Sequence, residues 1–287
     1  MSLTRRRFLK VTGIGLSAFG LSHSLFGDER KIEYSFAACD WSLWTEGPSA
    51  LDLAKQIGLN GVEISAGKPE DKIAIANSEL KEQYKSKMQE TGIVIPSIAM
   101  GLLNDAPLAS EPRAINWILD TIDSAKELNA KVILLAFFGK GDLRDKNGMK
   151  NNDVAEVINR LKECAPKAKE KGIILGIENT LSAQQNMEIL EKIGSDACKV
   201  YYDVGNSTYN GYDVPAEIRM LKDKICQIHF KDGAFYLGKG KVKMEPIAEA
   251  IKEVNYKGWL VLETGLPTMN KVNDFKKNLD FLRQLFG

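Results

Sequence analysis

The sequence predicts one α/β domain folded as a (β/α)₈ TIM barrel, and three observations support this fold class. From Lys31 onward, eight short apolar runs alternate with segments of helical periodicity. The 260 residues that follow position 27 suit a barrel of about 250 residues. The turn after the first run, Ala38-Cys39-Asp40-Trp41, has no Gly-x-Gly-x-x-Gly, which a doubly wound sheet would normally carry at that point.

The eight apolar runs are the predicted strands. Most are apolar on both faces, as in Val132-Ile133-Leu134-Leu135-Ala136, and such runs suit parallel strands that helices cover on the outside. No linker or low-complexity tract follows residue 30, so one domain is expected. The predicted strands are Ile32–Cys39, Gly61–Ser65, Ile93–Met100, Val132–Phe138, Ile173–Glu178, Lys199–Val204, Ile225–Phe230 and Trp259–Glu263.

The segments between the strands carry helix start and stop signals. Capping residues or prolines stand at their beginnings, and several segments end at a glycine just before the next strand, such as Gly58, Gly92 and Gly172. The clearest predicted helices begin at Pro48-Ser49 and at Asn77-Ser78-Glu79, or cover Ala114–Leu128, Val154–Lys171 and Asp274–Phe286.

The chain begins with a basic segment, Thr4-Arg5-Arg6-Arg7-Phe8-Leu9-Lys10, and a modestly apolar stretch, Val11–Leu21. This order is the general form of a secretory signal, and the paired arginines before Phe-Leu-Lys resemble the twin-arginine (Tat) export signal. The resemblance implies a Tat-type signal peptide at residues 1–27, a barrel at residues 28–287, the Tat translocase as a partner during export, and a periplasmic or otherwise exported protein. The alternative is a basic amphipathic start of a cytosolic domain.

Composition and charge exclude several classes of protein. With 44% hydrophobic and 27% charged residues, the chain does not fit disordered, collagen-like or coiled-coil classes. Residues 28–287 hold 35 bases and 38 acids, so no nucleic-acid partner is expected. No apolar run approaches the ~20 residues that span a bilayer, so no stable membrane insertion is expected after signal removal. The four cysteines form no Cys-x-x-Cys pair, and free buried thiols are expected.

Charged residues interrupt the apolar strands near the ends where a barrel builds its active site. Glu178 ends the fifth predicted strand, Asp203 lies in the sixth, His229 in the seventh, and Glu263 ends the eighth. Such groups are costly to bury unless they are paired or bind a metal. Three carboxylates and one imidazole form a chelating set for a divalent ion such as Mn²⁺, Mg²⁺ or Zn²⁺. Ion pairing of the acids with barrel lysines is the alternative.

The residues around these positions resemble the xylose-isomerase-like barrel superfamily, in particular its sugar phosphate isomerase/epimerase branch. The resemblance covers the chain from about residue 31 to 287. Each motif is short, but all occur in order and on the expected strands. The motifs are Gly176-Ile177-Glu178-Asn179, Tyr202-Asp203-Val204-Gly205-Asn206, Ile228-His229-Phe230-Lys231-Asp232 and Leu262-Glu263-Thr264.

The resemblance implies a metal site and a reaction. The family's metal ligands map onto Glu178, Asp203, His229 and Glu263. In the ketose 3-epimerases of the family, the two glutamates also act as catalytic acid and base, which assigns these roles to Glu178 and Glu263. The function expected from the resemblance is a metal-dependent isomerase or epimerase that acts on a small keto- or aldo-sugar by proton transfer through an enediolate.

Two positions depart from the family pattern. Many members have a histidine three residues after the strand-six aspartate, where this chain has Asn206. An amide can bind a sugar hydroxyl but cannot carry a proton. The ketose 3-epimerases also place an arginine where this chain has Phe235, and Lys239 is the nearest substitute. The identity of the substrate is therefore not transferred.

Five further side chains are candidate substrate-binding residues. Four of them have a structural alternative. For Glu63, which could bind substrate or orient a neighbouring ligand, it is an interior salt bridge. For Lys231 it is a solvated loop, and for the tryptophans, whose aromatic faces suit the C–H surface of a sugar, it is core packing. The candidates are Glu63, Asn206, Lys231, Trp41 and Trp44.

Other functions fit parts of the same pattern. A lyase or dehydratase acting on a keto-sugar or glycoside would use the same site, and a non-catalytic carbohydrate-binding barrel would use none of its chemistry. The abasic-site endonucleases of the superfamily take several histidines, whereas only His229 remains after signal removal. The expected partner is a small carbohydrate, with a homo-oligomer left open. Because sugar phosphates are chiefly cytoplasmic, an exported enzyme is expected to take an unphosphorylated substrate.

Overall fold

Eight parallel strands close into a barrel in the structure, a computed structural model that describes residues 33–287. The barrel strands are β1 (Ser35–Cys39), β2 (Gly61–Ser65), β3 (Ser97–Met100), β4 (Val132–Ala136), β7 (Ile174–Glu178), β8 (Cys198–Asp203), β9 (Ile225–Phe230) and β10 (Trp259–Leu262), and a separate hairpin contains β5 (Arg144–Asp145) and β6 (Gly148–Met149). Around the barrel the order is β1, β10, β9, β8, β7, β4, β3 and β2. The predicted single (β/α)₈ barrel is thereby confirmed. The predicted signal peptide at residues 1–27 lies outside the described residues.

Helices connect successive barrel strands, and their ends agree with local sequence signals. The Asn77 side chain accepts hydrogen bonds from two backbone N–H groups at the start of the second helix. Gly58 and Gly92 adopt left-handed backbone conformations that end the first two helices, with φ of 93° and 76°. The helices are α1 (Ser49–Ile57), α2 (Ser78–Thr91), α3 (Ala114–Glu127), α4 (Asn151–Lys171), α5 (Ala183–Ile193), α6 (Val204–Tyr209), α7 (Val214–Leu221), α8 (Met244–Glu253) and α9 (Lys271–Phe286).

Several strand boundaries differ from the prediction. The third strand begins at Ser97 instead of Ile93, because Pro96 has no N–H to donate to a ladder. The fourth ends at Ala136, and the chain then turns toward the hairpin β5–β6, which the apolar pattern did not predict. The last ends at Leu262, so Glu263 lies just beyond the strand.

Two further observations concern the cysteines and the apolar helices. All four cysteines are free, as expected, and three are buried, whereas Cys226 is only partly buried. Within residues 33–287, no helix is both long and apolar enough to cross a membrane.

Alternation along the strands separates the barrel interior from the layer beneath the helices. Side chains two residues apart on a strand face the same side, so Gln227 and His229 point inward from β9 while Phe230 points outward. Phe230 is fully buried, and its ring packs edge-to-face on Phe286 of α9 with a centroid separation of 5.8 Å. This contact holds the last helix against the barrel.

Phe230→Ala should lower the free energy of unfolding by roughly 3–5 kcal/mol, because truncation leaves a cavity between β9 and α9. Phe235→Ala is the matched control, since Phe235 is 55% exposed and its loss should change stability by less than about 0.5 kcal/mol. Urea denaturation of both variants measures the difference. Equal midpoints for the two variants would contradict the assigned packing.

Candidate active site

Four chemically active side chains meet at the carboxyl end of the barrel. Glu178 ends β7, Asp203 ends β8, His229 lies one residue before the end of β9, and Glu263 directly follows β10. These four strands are consecutive around the barrel, and parallel strands all end on the same face. One ligand atom from each side chain lies within 4.8 Å of the others. The local strand ends therefore produce a compact cluster from residues spread over 86 positions.

The imidazole of His229 is the centre of this cluster. Its Nδ1 lies 3.2 Å from Oε2 of Glu263, 3.3 Å from Oε1 of Glu178 and 3.7 Å from Oδ2 of Asp203. The ring is fully buried, as is most of each carboxylate. One nitrogen thus faces three acids in a region that water largely does not reach.

Lys231 supplies the second positive group. Its Nζ lies 2.6 Å from Oε2 of Glu263 and 3.0 Å from Oδ2 of Asp203. The side chain reaches this position because residue 205 is a glycine: a Cβ there would lie 2.5 Å from Cγ of Lys231. The glycine in Asp203-Val204-Gly205-Asn206 therefore makes room for the lysine.

Burial and charge act differently on the acids. Burial raises the pKa of Asp203 to about 7 and also raises the pKa of Glu178. Burial acts in the same direction on Glu263, but the positive charges of His229 and Lys231 outweigh it and hold the pKa of Glu263 well below its usual range. Burial opposes the charged form of His229, yet the negative groups around the ring raise its pKa well above the usual value.

The donor set fits a divalent cation. Oδ2 of Asp203 is buried and accepts no hydrogen bond, although the ammonium of Lys231 lies within ion-pair distance. A buried carboxylate oxygen without a hydrogen-bond donor is an available ligand atom. Three carboxylates and one imidazole suit Mn²⁺, Mg²⁺ or Zn²⁺.

A cavity of about 330 Å³ adjoins the cluster and has both glutamates in its wall. Glu178 and Glu263 line it together with apolar side chains that include Trp41, Leu134 and Phe138. The indole Nε1 of Trp41 donates a hydrogen bond to Oε1 of Glu263 at 3.1 Å. The cavity therefore combines two carboxylates with aromatic surface, a combination that suits the hydroxyls and the C–H face of a sugar.

The structure brings three of the five predicted substrate-binding residues to the site. Trp41 lines the cavity and contacts Glu263. Lys231 makes the ion pairs already described, and Nδ2 of Asn206 donates to Oε1 of Glu178 at 3.4 Å. Their predicted contact with substrate stays a prediction.

The other two lie elsewhere. Glu63 is fully buried beneath His229, with 2.7 Å between its Oε1 and the imidazole Nε2. Glu63 is not part of the cavity wall, so its contact with substrate stays a prediction, and its alternative role, orientation of a neighbouring ligand, fits the geometry. Trp44 is 58% exposed at the rim and is not part of the cavity wall among the described residues.

Sequence reasoning missed a layer of polar residues under the cluster. Tyr201 and Gln227 precede Asp203 and His229 by two positions, and Ser97 opens β3. Residues two apart on a strand share a face, so this spacing places Tyr201 and Gln227 on the same inward side as the predicted ligands. The signal was present, but it could be interpreted only after the neighbouring strands were known.

A (β/α)₈ barrel that gathers acids and an imidazole at its strand carboxyl ends has the architecture of a barrel enzyme. The model of the xylose isomerase-like TIM barrel family matches residues 51–285. The chain belongs to this family.

Similar proteins carry epimerase names. The chain is 27% identical to 2-epi-5-epi-valiolone 7-phosphate 2-epimerase of Actinoplanes sp., over 68% of this chain and 71% of that protein. It is 23% identical to D-psicose 3-epimerase of Enterocloster bolteae, over 83% and 82%. The crystal structure of 3-keto-D-glucoside 4-epimerase from E. coli shares the fold, with a TM-score of 0.72, 13% identity, and coverage of 88% of this chain and 100% of that one. The curated relatives support a sugar isomerase or epimerase.

Lys231→Met should destabilise the protein by at least about 3 kcal/mol when metal is removed with EDTA. The substitution leaves buried carboxylates at Asp203 and Glu263 without their ammonium partner. Lys85→Met is the control, because Lys85 pairs with Glu82 on the surface and such pairs contribute at most about 1 kcal/mol. Urea denaturation compares the two. Similar losses of unfolding free energy in the two variants would show that the ion pairs of Lys231 do not compensate the buried charges of Asp203 and Glu263.

Proposed function

We propose that the chain is a divalent-metal-dependent epimerase of a small, unphosphorylated keto- or aldo-sugar. The observation that carries the proposal is the group Glu178, Asp203, His229 and Glu263, whose ligand atoms all lie within 4.8 Å of one another beside a cavity. The epimerase names of the relatives support the same reaction class.

These four residues would hold the cation. A divalent ion at this point supplies Lewis-acid stabilisation of the negative charge that develops on substrate oxygens, worth several kcal/mol. The side chains around it restrict water and fix the carboxylate positions: His229 is fully buried, and Trp41 anchors Glu263 by its indole N–H.

In this proposal the two glutamates exchange protons with a substrate from different sides. Glu178 belongs to β7 and Glu263 follows β10, with β8 and β9 between them around the barrel, and both line the same cavity. One carboxylate takes the hydrogen from a carbon next to a carbonyl, which leaves an enediolate. The other returns a proton to the opposite face of that carbon, so the configuration inverts.

The cavity wall supports a neutral substrate. The charged residues in this wall are three acids, Glu46, Glu178 and Glu263, and one base, the exposed Lys68. Phosphate recognition usually relies on cations or clustered backbone N–H groups. The arginine pair near the start of the chain, outside the described residues, motivates the further proposal that the protein is exported.

The proposal predicts a metal requirement and a substrate preference. Dialysis against EDTA should abolish turnover, and one equivalent of Mn²⁺, Mg²⁺ or Zn²⁺ should restore it. The assay is a panel of keto- and aldo-sugars, each paired with its phosphate ester, monitored for epimer formation. Absence of stoichiometric metal would favour a non-catalytic carbohydrate-binding barrel, elimination products would favour a lyase or dehydratase, and a much higher kcat/KM for a phosphate ester would refute the unphosphorylated substrate.

Glu178→Gln and Glu263→Gln should each abolish overall epimerisation, because each removes one proton-transfer group. Each metal-loaded variant should still exchange a substrate hydrogen with solvent deuterium from one epimer only, and the two variants should choose different epimers. Mass spectrometry of the recovered substrate measures the exchange, and metal content is determined in parallel as the control. Exchange of the same epimer by both variants would replace the two-base mechanism with a one-base isomerase or lyase.

A further inference from the structure

A buried layer of polar side chains lies beneath the cluster, on the other side of the His229 ring. It comprises Cys39 on β1, Glu63 on β2, Ser97 on β3, Tyr201 on β8 and Gln227 on β9, and each is at most 1% exposed. Polar groups buried this completely need hydrogen-bond partners. Oε1 of Gln227 has no hydrogen-bond partner, and the other polar groups of the layer pair with one another and with His229.

The hydrogen bonds in this layer have a defined direction. The amide Nε2 of Gln227 donates to the hydroxyl oxygens of Ser97 at 2.6 Å and Tyr201 at 2.8 Å. A hydroxyl has one hydrogen, so each hydroxyl directs its own to a second acceptor. That acceptor is Oε2 of Glu63, at 2.5 Å from Ser97 and 2.8 Å from Tyr201.

The other carboxylate oxygen of Glu63 faces the imidazole. Oε1 of Glu63 lies 2.7 Å from Nε2 of His229 and 3.5 Å from the thiol of Cys39. A carboxylate accepts hydrogen bonds and donates none, so the short contact to His229 places a hydrogen on Nε2. The nitrogen that remains for the acids of the candidate metal site is Nδ1.

We propose that Glu63 is the positioning residue of His229: it holds the hydrogen on Nε2 and thereby presents Nδ1 to the three acids as the metal ligand. The inference rests on the proposed function, since it assigns His229 to a metal. Metal-ligating histidines generally donate their second N–H to such a partner, which fixes the tautomer and the ring orientation.

Packing on the ring supports this assignment. The Tyr201 ring lies 4.5 Å from the imidazole of His229 between centroids, and Trp41 approaches at 6.1 Å in an edge orientation. A 180° flip of the ring would put Cε1 where Nε2 now lies and Cδ2 where Nδ1 lies, and would therefore break the 2.7 Å contact with Glu63. Tyr201 thus contributes twice, once through its hydroxyl and once through its ring.

The same layer is not suited to a second cation. Cys39, Glu63 and His229 bring together one thiol, one carboxylate and one imidazole nitrogen. Both oxygens of Glu63 already accept hydrogen bonds, and burial raises the pKa of Cys39 well above its usual value, so the thiol stays protonated. A thiol must lose its proton to become a strong metal ligand.

The test uses full-length protein and Mn²⁺ as the probe. Glu63→Gln should raise the Kd for Mn²⁺ roughly 10- to 100-fold in calorimetric titrations, the usual effect of removing such a partner. Tyr201→Phe keeps the ring but loses one donor to Glu63, so its Kd should rise by a smaller factor. Glu217→Gln is the matched control: Glu217 is also buried and accepts hydrogen bonds from Tyr202 and from the Ala183 N–H, away from His229, so its Kd should stay unchanged.

Nitrogen-15 NMR provides a readout that a merely structural role would not change. In metal-free and Zn²⁺-loaded wild type, His229 should show a slowly exchanging Nε2–H signal, which Glu63→Gln should weaken or lose. If Glu63→Gln keeps the wild-type Kd for Mn²⁺ and retains the Nε2–H signal of His229, the proposal is overturned. The proposal is also overturned if a lower melting temperature is the only effect of the substitution. If Glu63→Gln does not fold, the Kd of Tyr201→Phe decides. If wild type binds no Mn²⁺, the metal requirement of the proposed function fails, while the metal-free spectra still test Glu63.

Discussion

Concentrated negative charge in the barrel interior is the constraint on which the site depends. Four carboxylates lie within 3.7 Å of the two nitrogens of His229, and all are nearly fully buried except Glu263, whose side chain is 19% exposed. Buried charges are stable only when partners replace the lost hydration. The fold supplies the ammonium of Lys231, the imidazole of His229, and hydroxyl and amide donors from neighbouring strands. The remaining negative charge fits the proposal that the cluster binds a divalent cation.

The two nitrogens of the imidazole have different roles because their surroundings differ. On the Nε2 side, Glu63 is satisfied by hydroxyl donors and the interior is closed. On the Nδ1 side, Asp203 retains an oxygen without a hydrogen bond, and the two glutamates line the cavity. The hydrogen-bonded carboxylate of Glu63 below therefore fixes the ring, and the acids above are available for chemistry. Both layers come from alternate residues of the same strands, so one backbone geometry positions them together.

Relatives with this barrel are named for different substrates, among them a valiolone phosphate, psicose and a keto-glucoside. In (β/α)₈ barrels the strand ends carry the shared chemistry, while the loops after them vary and select the substrate. In this chain Asn206 lies just after β8 against Glu178, and Phe235 is exposed on the segment between β9 and α8. Asn206 departs from the pattern of many family members, and Phe235 departs from that of the ketose 3-epimerases.

The sequence by itself determined the eight strands, the approximate helix ends and the four clustered residues, because periodicity, caps and position at a strand end are local properties. Barrel closure then made those ends converge, since all parallel strands finish on one face. Only the tertiary structure decided that Glu63 lies under His229 and that Trp44 stays at the rim. The contact between Glu63 and His229 joins residues 166 positions apart, and it depends on the strand order and tilt that close the barrel. No local pattern encodes which inward side chains of different strands will touch.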